Sequence, residues 1–141
     1  MSRKGPIILV EDDVDDQSMM EEVIREVGIE NQLIFFSNGP EAFAYLKTTK
    51  SQPFLIFSDI NLPIQSGIEF KKSVDADPQL RQKSIPFIFF STSTDKQSVT
   101  TAYTEMTVQG FFKKKNTYAE LVRTVGIIMD YWKLCQHPNS D

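Results

Sequence analysis

Three kinds of side chain capable of chemistry stand at matched places along this sequence. The acids Glu11-Asp12 and Asp59 follow short apolar runs, the hydroxyls Ser91-Thr92-Ser93-Thr94 follow another, and Lys113-Lys114-Lys115 follow a fourth. Carboxylates from separate stretches make an oxygen-rich set suited to a hard cation, and Mg²⁺ is typically held by one or two carboxylates with water and phosphate oxygens. A lysine and a hydroxyl add donors that would neutralise and orient a dianionic phosphoryl group. Phosphoryl transfer needs little beyond such positioning and charge compensation. Asp59 is then the candidate nucleophile. Spacing alone selects neither the inward hydroxyl nor the working lysine.

Residues so far apart meet only if the intervening elements bring the ends of the apolar runs to one edge. Ile7-Ile8-Leu9-Val10, Leu33-Ile34-Phe35-Phe36, Phe54-Leu55-Ile56-Phe57, Pro86-Phe87-Ile88-Phe89-Phe90 and Gly110-Phe111-Phe112 read as short strands covered on both faces. Helical periodicity fills the gaps. Asp15 or Asp16 is expected to cap a helix carrying Met19, Met20, Val23, Ile24 and Val27, with Gly28 as its stop. Pro40 is expected at the first helical position of a segment burying Ala42, Phe43, Tyr45 and Leu46. A short helix opens at Ile68, and Asp75 to Ser84, with Pro78, reads as a polar connection. Asp95 caps a threonine-rich helix, and Thr117 opens a last one with Leu121, Val122, Val125, Ile128, Met129 and Trp132 on its apolar side. Strands alternating with helices in this way imply a parallel sheet with helices on both faces, whose carboxyl ends share one edge. The second strand brings no acid, as an outer strand would not.

A chain of 141 residues fits one domain with a real core. The net charge of -4 argues against a nucleic-acid surface, and the single Cys135 excludes an internal disulfide, which fits a reducing compartment. With no signal-peptide pattern and no apolar run of membrane-spanning length, the expectation is a cytoplasmic protein that engages no membrane.

Glu11-Asp12, Asp59 with Asn61-Leu62-Pro63 and Gly67, Pro86 to Ser91, and Gly110-Phe111-Phe112-Lys113-Lys114 resemble the receiver domain of bacterial two-component response regulators, in order and at the expected spacing. The resemblance spans nearly the whole chain and is nearest to stand-alone receivers that work beside phytochrome-type histidine kinases. It implies a doubly wound, flavodoxin-like α/β fold with a five-stranded parallel sheet in the order 2-1-3-4-5. It also implies one receiver domain over 1–141, with a core of about 5–134, a polar tail at 136–141 and no effector domain following. By the same resemblance Asp59 takes a phosphoryl group from a histidine of a sensor kinase or phosphotransfer protein. Asp12 and Asp59 hold Mg²⁺ with the Asn61 backbone carbonyl, and Glu11 acts mainly through water. Ser91 matches the switch hydroxyl, Lys114 the family's lysine, Phe111 the switch aromatic, and Asn61 and Ser93 the positions that tune acyl-phosphate lifetime. Such a protein is a phosphoacceptor that assists its own phosphorylation and dephosphorylation, and is not otherwise an enzyme. Its signal is expected to leave through the helix capped by Asp95, the fifth strand and the C-terminal helix, toward a downstream protein. The tail residues Met129, Tyr131, Trp132 and Leu134 are candidates for a homodimer contact or for packing on the chain's own sheet.

Three residues depart from the family pattern: Ser58 replaces an apolar residue, Ser91 the commoner threonine, and Lys115 the proline that normally follows the lysine. A cis bond without proline costs about 2.5–4 kcal/mol, so a trans loop is expected after Lys114. Ser58 and Lys115 motivate a rival reading, a receiver-like interaction module that is never phosphorylated. A phosphohydrolase would usually place a second acid two positions beyond its nucleophile, where Asn61 stands, and no G-x-G-x-x-G follows the first strand to support a dinucleotide enzyme. Asp13, Asp15 and Asp16 read as capping or solvated acids, Lys113 and Lys115 as surface charge, and His137 as a lone residue in a polar terminus.

Overall fold

Each apolar run forms a strand in the computed structural model, which describes residues 3–92, 95–105, 108–114 and 117–136. In chain order the elements are β1 (Ile7–Val10), α1 (Val14–Glu26), β2 (Leu33–Phe36), α2 (Gly39–Thr48), β3 (Leu55–Ser58), α3 (Gly67–Ala76), α4 (Pro78–Lys83), β4 (Phe87–Ser91), α5 (Lys96–Glu105), β5 (Gly110–Lys113) and α6 (Tyr118–Leu134). The strands pair in parallel in the order β2-β1-β3-β4-β5. This is the doubly wound sheet that the sequence implies.

Strand alternation divides the core into two layers. Ile7, Leu9, Leu55, Phe57, Ile88 and Phe90 face α1 and α6, which contribute Met20, Val23, Ile24, Leu121, Val125, Ile128 and Met129. On the other face, Ile8, Val10, Ile56, Phe87 and Phe89 meet Ala42 and Leu46 of α2, Phe70 and Val74 of α3, Leu80 of α4 and Ala102 of α5. With both faces covered, the central strands have no polar side to show. That is why they read as unbroken apolar runs.

Local signals set the helix starts, with some corrections to expectation. Asp13, rather than Asp15 or Asp16, caps α1: its Oδ1 accepts from Asp16 N at 3.0 Å, and Gly28 turns the chain out at φ +86°. Helix α2 begins at Gly39, one residue before Pro40, with Asn38 as its cap. Helix α3 begins at Gly67, not Ile68, and Ser66 and Glu69 form a reciprocal capping box. The segment after Asp75 is not merely a polar connection. Asp77 accepts from Leu80 N at 3.0 Å, Pro78 takes the first turn, and Leu80 packs into the core, so a six-residue helix forms. Asp95 accepts from Ser98 N at the start of α5, and Thr117 caps α6, as expected. The tail candidates divide: Met129 is buried in the core and Trp132 packs against it, whereas Tyr131 and Leu134 are exposed.

Candidate functional site

The site is assembled from the last residue of β4 and the first residues beyond β1, β3 and β5. Val10 pairs with Ser58 in register, which puts Glu11 and Asp59 side by side at the carboxyl edge. Asp59 N donates to Val10 O at 3.0 Å, prolonging the β1–β3 pairing by one step. On the other side Ser91 ends β4 opposite Lys113, and Lys114 N donates to Ser91 O at 2.9 Å. The carboxylates, hydroxyl and lysine therefore converge because four strands stop together. Strand β2 is followed instead by Ser37 and Asn38, and Asn38 caps α2.

Asp59 is buried, and its two carboxylate oxygens have different surroundings. Oδ1 accepts from Ser91 Oγ at 2.7 Å, Ile60 N at 2.6 Å and Asn61 N at 3.3 Å. Among the described residues all hydrogen bonds to this carboxylate end on Oδ1. Oδ2 faces Lys114 Nζ at 3.9 Å, beyond hydrogen-bond reach. Beneath it, the buried Ser58 hydroxyl donates to the Asp59 carbonyl at 2.9 Å, so this polar residue is internally satisfied.

The loop after Asp59 folds back tightly. Gly67 N donates to Ile60 O at 2.7 Å, and a Cβ at Gly67 would lie 2.0 Å from the Asp59 carbonyl oxygen. Backbone is the obstacle, so an alanine there must push α3 off the phosphoacceptor candidate's own peptide. Gly67→Ala is expected to lower stability by about 1–3 kcal/mol, the usual range for overpacking. A urea titration would measure it, and an unchanged midpoint would show that the close approach is not required.

Lys114 is the central cation of the site. Its Nζ donates to Glu11 Oε1 and lies 3.6 Å from Asp16 Oδ2 as well as near Asp59. Burial alone would depress the lysine, but the Glu11 bond and the charges of Glu11, Asp59 and Asp16 outweigh it and hold its pKa above the ordinary range. Burial dominates at Glu11, where the Lys114 bond only partly offsets it, so the acid's pKa is raised.

Of the sequence candidates, the structure brings Glu11, Asp59, Ser91 and Lys114 into one cluster and selects Ser91 and Lys114 over exposed Thr92 and Lys113. Asp12 and Asn61 are exposed at the same rim. Phe111 is half-buried against Phe89, with ring centroids 5.6 Å apart. Ser93, Thr94, Lys115 and His137 lie outside the described residues, and with Lys115 the trans loop expected after Lys114. The sequence marks Asp16 only as a solvated or capping acid, and its approach to Lys114 is visible in the structure alone. One more acid in an acidic first turn carries no signal of its own.

Among the described residues, no three His, Cys, Asp or Glu side chains gather closely enough to hold a metal ion. The buried carboxylates face the lysine instead. The donor set nevertheless fits Mg²⁺ chemically, with only oxygens, Asp59 Oδ2 not hydrogen-bonded among the described residues, and Asp12 exposed one residue beyond Glu11.

A 2-1-3-4-5 parallel sheet with carboxylate, hydroxyl and lysine joined at its carboxyl rim defines a flavodoxin-like receiver fold. The chain belongs to the response regulator receiver domain family, which matches residues 7–126 and works in two-component signalling. It is similar to the response regulator Rcp1 of Synechocystis sp., at 30% identity over 131 residues, covering 89% of this chain and 87% of that protein. Among solved structures it is similar to the phosphorylated cyanobacterial phytochrome response regulator RcpA, with a TM-score of 0.85, 28% identity, and 96% of this chain and 99% of that one covered. The Mn²⁺-bound form of Rcp1 matches with a TM-score of 0.81 at 27% identity, covering 95% of this chain and 99% of that one. No helix among the described residues is long and apolar enough to cross a membrane.

Proposed function

We propose that this protein is a phospho-accepting response regulator, phosphorylated on Asp59 in a Mg²⁺-dependent reaction by a sensor histidine kinase or a histidine phosphotransfer protein in the cytoplasm. The observation that carries this reading is the asymmetry of the Asp59 carboxylate. Ser91 and two backbone amides hold Oδ1, which fixes the group and points Oδ2 toward the lysine. Oδ2 is the nucleophile. Its new P–O bond forms as the P–N bond to the donor imidazole breaks, and the bonding electron pair leaves with the imidazole. Asp12, Asp59 and the Asn61 carbonyl, with Glu11 acting through water, would hold Mg²⁺, whose charge offsets that of the dianionic phosphoryl group. Lys114 supplies a second positive charge and Ser91 a hydroxyl donor for a phosphoryl oxygen.

Phosphorylation then competes for Ser91. A hydroxyl drawn to a phosphoryl oxygen leaves Oδ1, and its movement opens space next to β4 into which Phe111 turns. Two packings of the β4–β5 edge are thereby biased by one covalent group. The signal reaches a downstream protein through α5, β5 and α6, where Tyr131 and Leu134 offer exposed apolar surface, in a second copy or in another partner.

Acetyl phosphate with Mg²⁺ is expected to add the mass of one phosphoryl group to the wild-type protein and none to Asp59→Asn, read by intact-protein mass spectrometry. Equal labelling of the variant would remove Asp59 as the acceptor.

A further inference from the structure

The ammonium of Lys114 is surrounded by three carboxylates, and they are not equivalent. Glu11 and Asp59 are nearly inaccessible, with side-chain exposures of 8% and 11%, whereas Asp16 is 46% exposed. Glu11 makes the direct bond, but it also belongs to the acidic set expected to act in metal binding. Asp59 is the group to be modified. Asp16 alone among the three is left with no other task in the proposed chemistry. It sits in the first turns of α1, held there by its backbone N–H to the Asp13 cap, and its Oδ2 is 3.6 Å from Lys114 Nζ.

Lys114 stands between two spaces. The inner one is small and shared with Glu11 and Asp59. The outer one is a cavity of about 240 Å³ lined by Asp16, Lys114, Met19, Met20 and Tyr118 among others. Thr92 and Leu121 complete its lining, so among the described residues the one charge that shares this space with Lys114 is the Asp16 carboxylate. Without that charge the long, flexible side chain could leave the rim whenever Glu11 turned elsewhere. A tetrahedral ammonium has three N–H donors. Three carboxylates on different elements restrict its position more than two can.

We infer that Asp16 is a positioning residue for Lys114, holding the ammonium at the rim between Glu11 and Asp59 so that it is in place when the phosphoryl group arrives. This rests on the reading that Asp59 is the acceptor. Asp16 itself touches no reacting atom and acts only through the lysine. A group that orders another for the transition state affects the rate at saturation more than donor binding.

The test compares wild type with Asp16→Asn and Asp16→Glu in two measurements. The first uses metal-free protein and no phosphodonor: trace acylation of lysines by N-hydroxysuccinimidyl acetate, quantified by peptide mass spectrometry against exposed Lys72 as internal reference. Lys114 is expected to react about threefold faster or more in Asp16→Asn, and at the wild-type rate in Asp16→Glu, since the charge that restrains its side chain is lost in one and kept in the other. The second is the rate of phosphorylation by acetyl phosphate with Mg²⁺ over a range of donor concentrations. Its saturating value is expected to fall about fivefold in Asp16→Asn with the half-saturating concentration unchanged, and to recover in Asp16→Glu. Unchanged Lys114 reactivity in Asp16→Asn, or a lost rate that Asp16→Glu does not restore, would overturn the inference. If wild type takes no phosphoryl group at all, the acceptor reading fails, and the acylation measurement still decides whether Asp16 positions Lys114.

Discussion

Phe89→Ala is expected to lower the free energy of unfolding by about 3–5 kcal/mol, the range for truncating a fully buried phenylalanine. Phe89 has no accessible surface and lies on the interior strand β4, where there is no solvent from which the cavity could be refilled. Its ring touches Phe87, at 5.1 Å between centroids, and Phe111, at 5.6 Å, so truncation also removes two aromatic contacts. The second contact has a functional side. Phe111 is the proposed switch aromatic, and Phe89 is the floor against which it packs. A Phe89→Leu variant keeps most of the volume and should recover more than half of the stability. It should still alter how beryllofluoride changes the near-ultraviolet circular dichroism of the protein, because the flat ring face beside Phe111 is gone. Urea unfolding of the three proteins at one pH measures the first effect. A loss below about 1 kcal/mol for the alanine variant would mean that β4 collapses around the gap and that the packing here is not tight.

Strand positions were legible because burial on both faces leaves the same mark on every central strand, an apolar run of four or five residues cut off by a polar one. Acids after β1 and β3 were legible for the same reason, since a charged residue ends such a run. Helix α4 was not. Its six residues contain a single core residue, Leu80, so no periodicity exists to detect, and only the Asp77 cap and Pro78 hint at a start. The cap of α1 lies two or three residues before the expected Asp15 or Asp16, because Asp13, Asp15 and Asp16 all have the chemistry of a cap and only the helix start at Val14 distinguishes them. Lys71 shows the same limit. A lysine with Asp75 four residues later looks like a solvated helix pair, yet here its side chain is 4% exposed, 2.7 Å from Asp75 and over the Phe87 ring. Burial lowers its pKa although Asp75 opposes this. Family spacing points to Ser91 and Lys114, and the ends of β4 and β5 give the physical reason for Ser91 over Thr92 and for Lys114 over Lys113. Asp16 illustrates the converse, since nothing in a run of acids marks the one that a lysine 98 positions away approaches.

Lys114→Met is expected to destabilise the metal-free protein by about 2–4 kcal/mol at neutral pH, at or below the loss for breaking a buried pair from one side. Methionine fills the stem's volume, so packing is nearly conserved and the effect isolates charge. Glu11 and Asp59 would remain almost out of contact with water at the same edge, with the Asp59 charge adding to the cost of ionising Glu11. Two pH limits follow from the shifts already present. Lys114 has its pKa raised on folding, so its stabilisation is complete below its ordinary value of 10.5 and is lost as pH rises through the higher folded value. Glu11 is raised above 4.5, so the folded state binds its proton more tightly than the unfolded chain does, and stability falls as pH rises through the window between the two values. Removing the lysine widens that window. The deficit of the variant should therefore be largest near neutrality and shrink in acid, where Glu11 takes up its proton. Mg²⁺ should restore part of the loss and stabilise the variant more than wild type, because a cation that binds only the folded state adds RT ln(1 + [L]/Kd), and in the variant it no longer competes with an ammonium. Phosphorylation should remain slow even so, since the metal replaces the lysine's charge but not its place beside Asp59 Oδ2. Urea unfolding in chelator and in Mg²⁺, at acid and neutral pH, separates these effects. A variant as stable as wild type in chelator, or one that Mg²⁺ stabilises no more than wild type, would show that Lys114 is not the counterion of this rim.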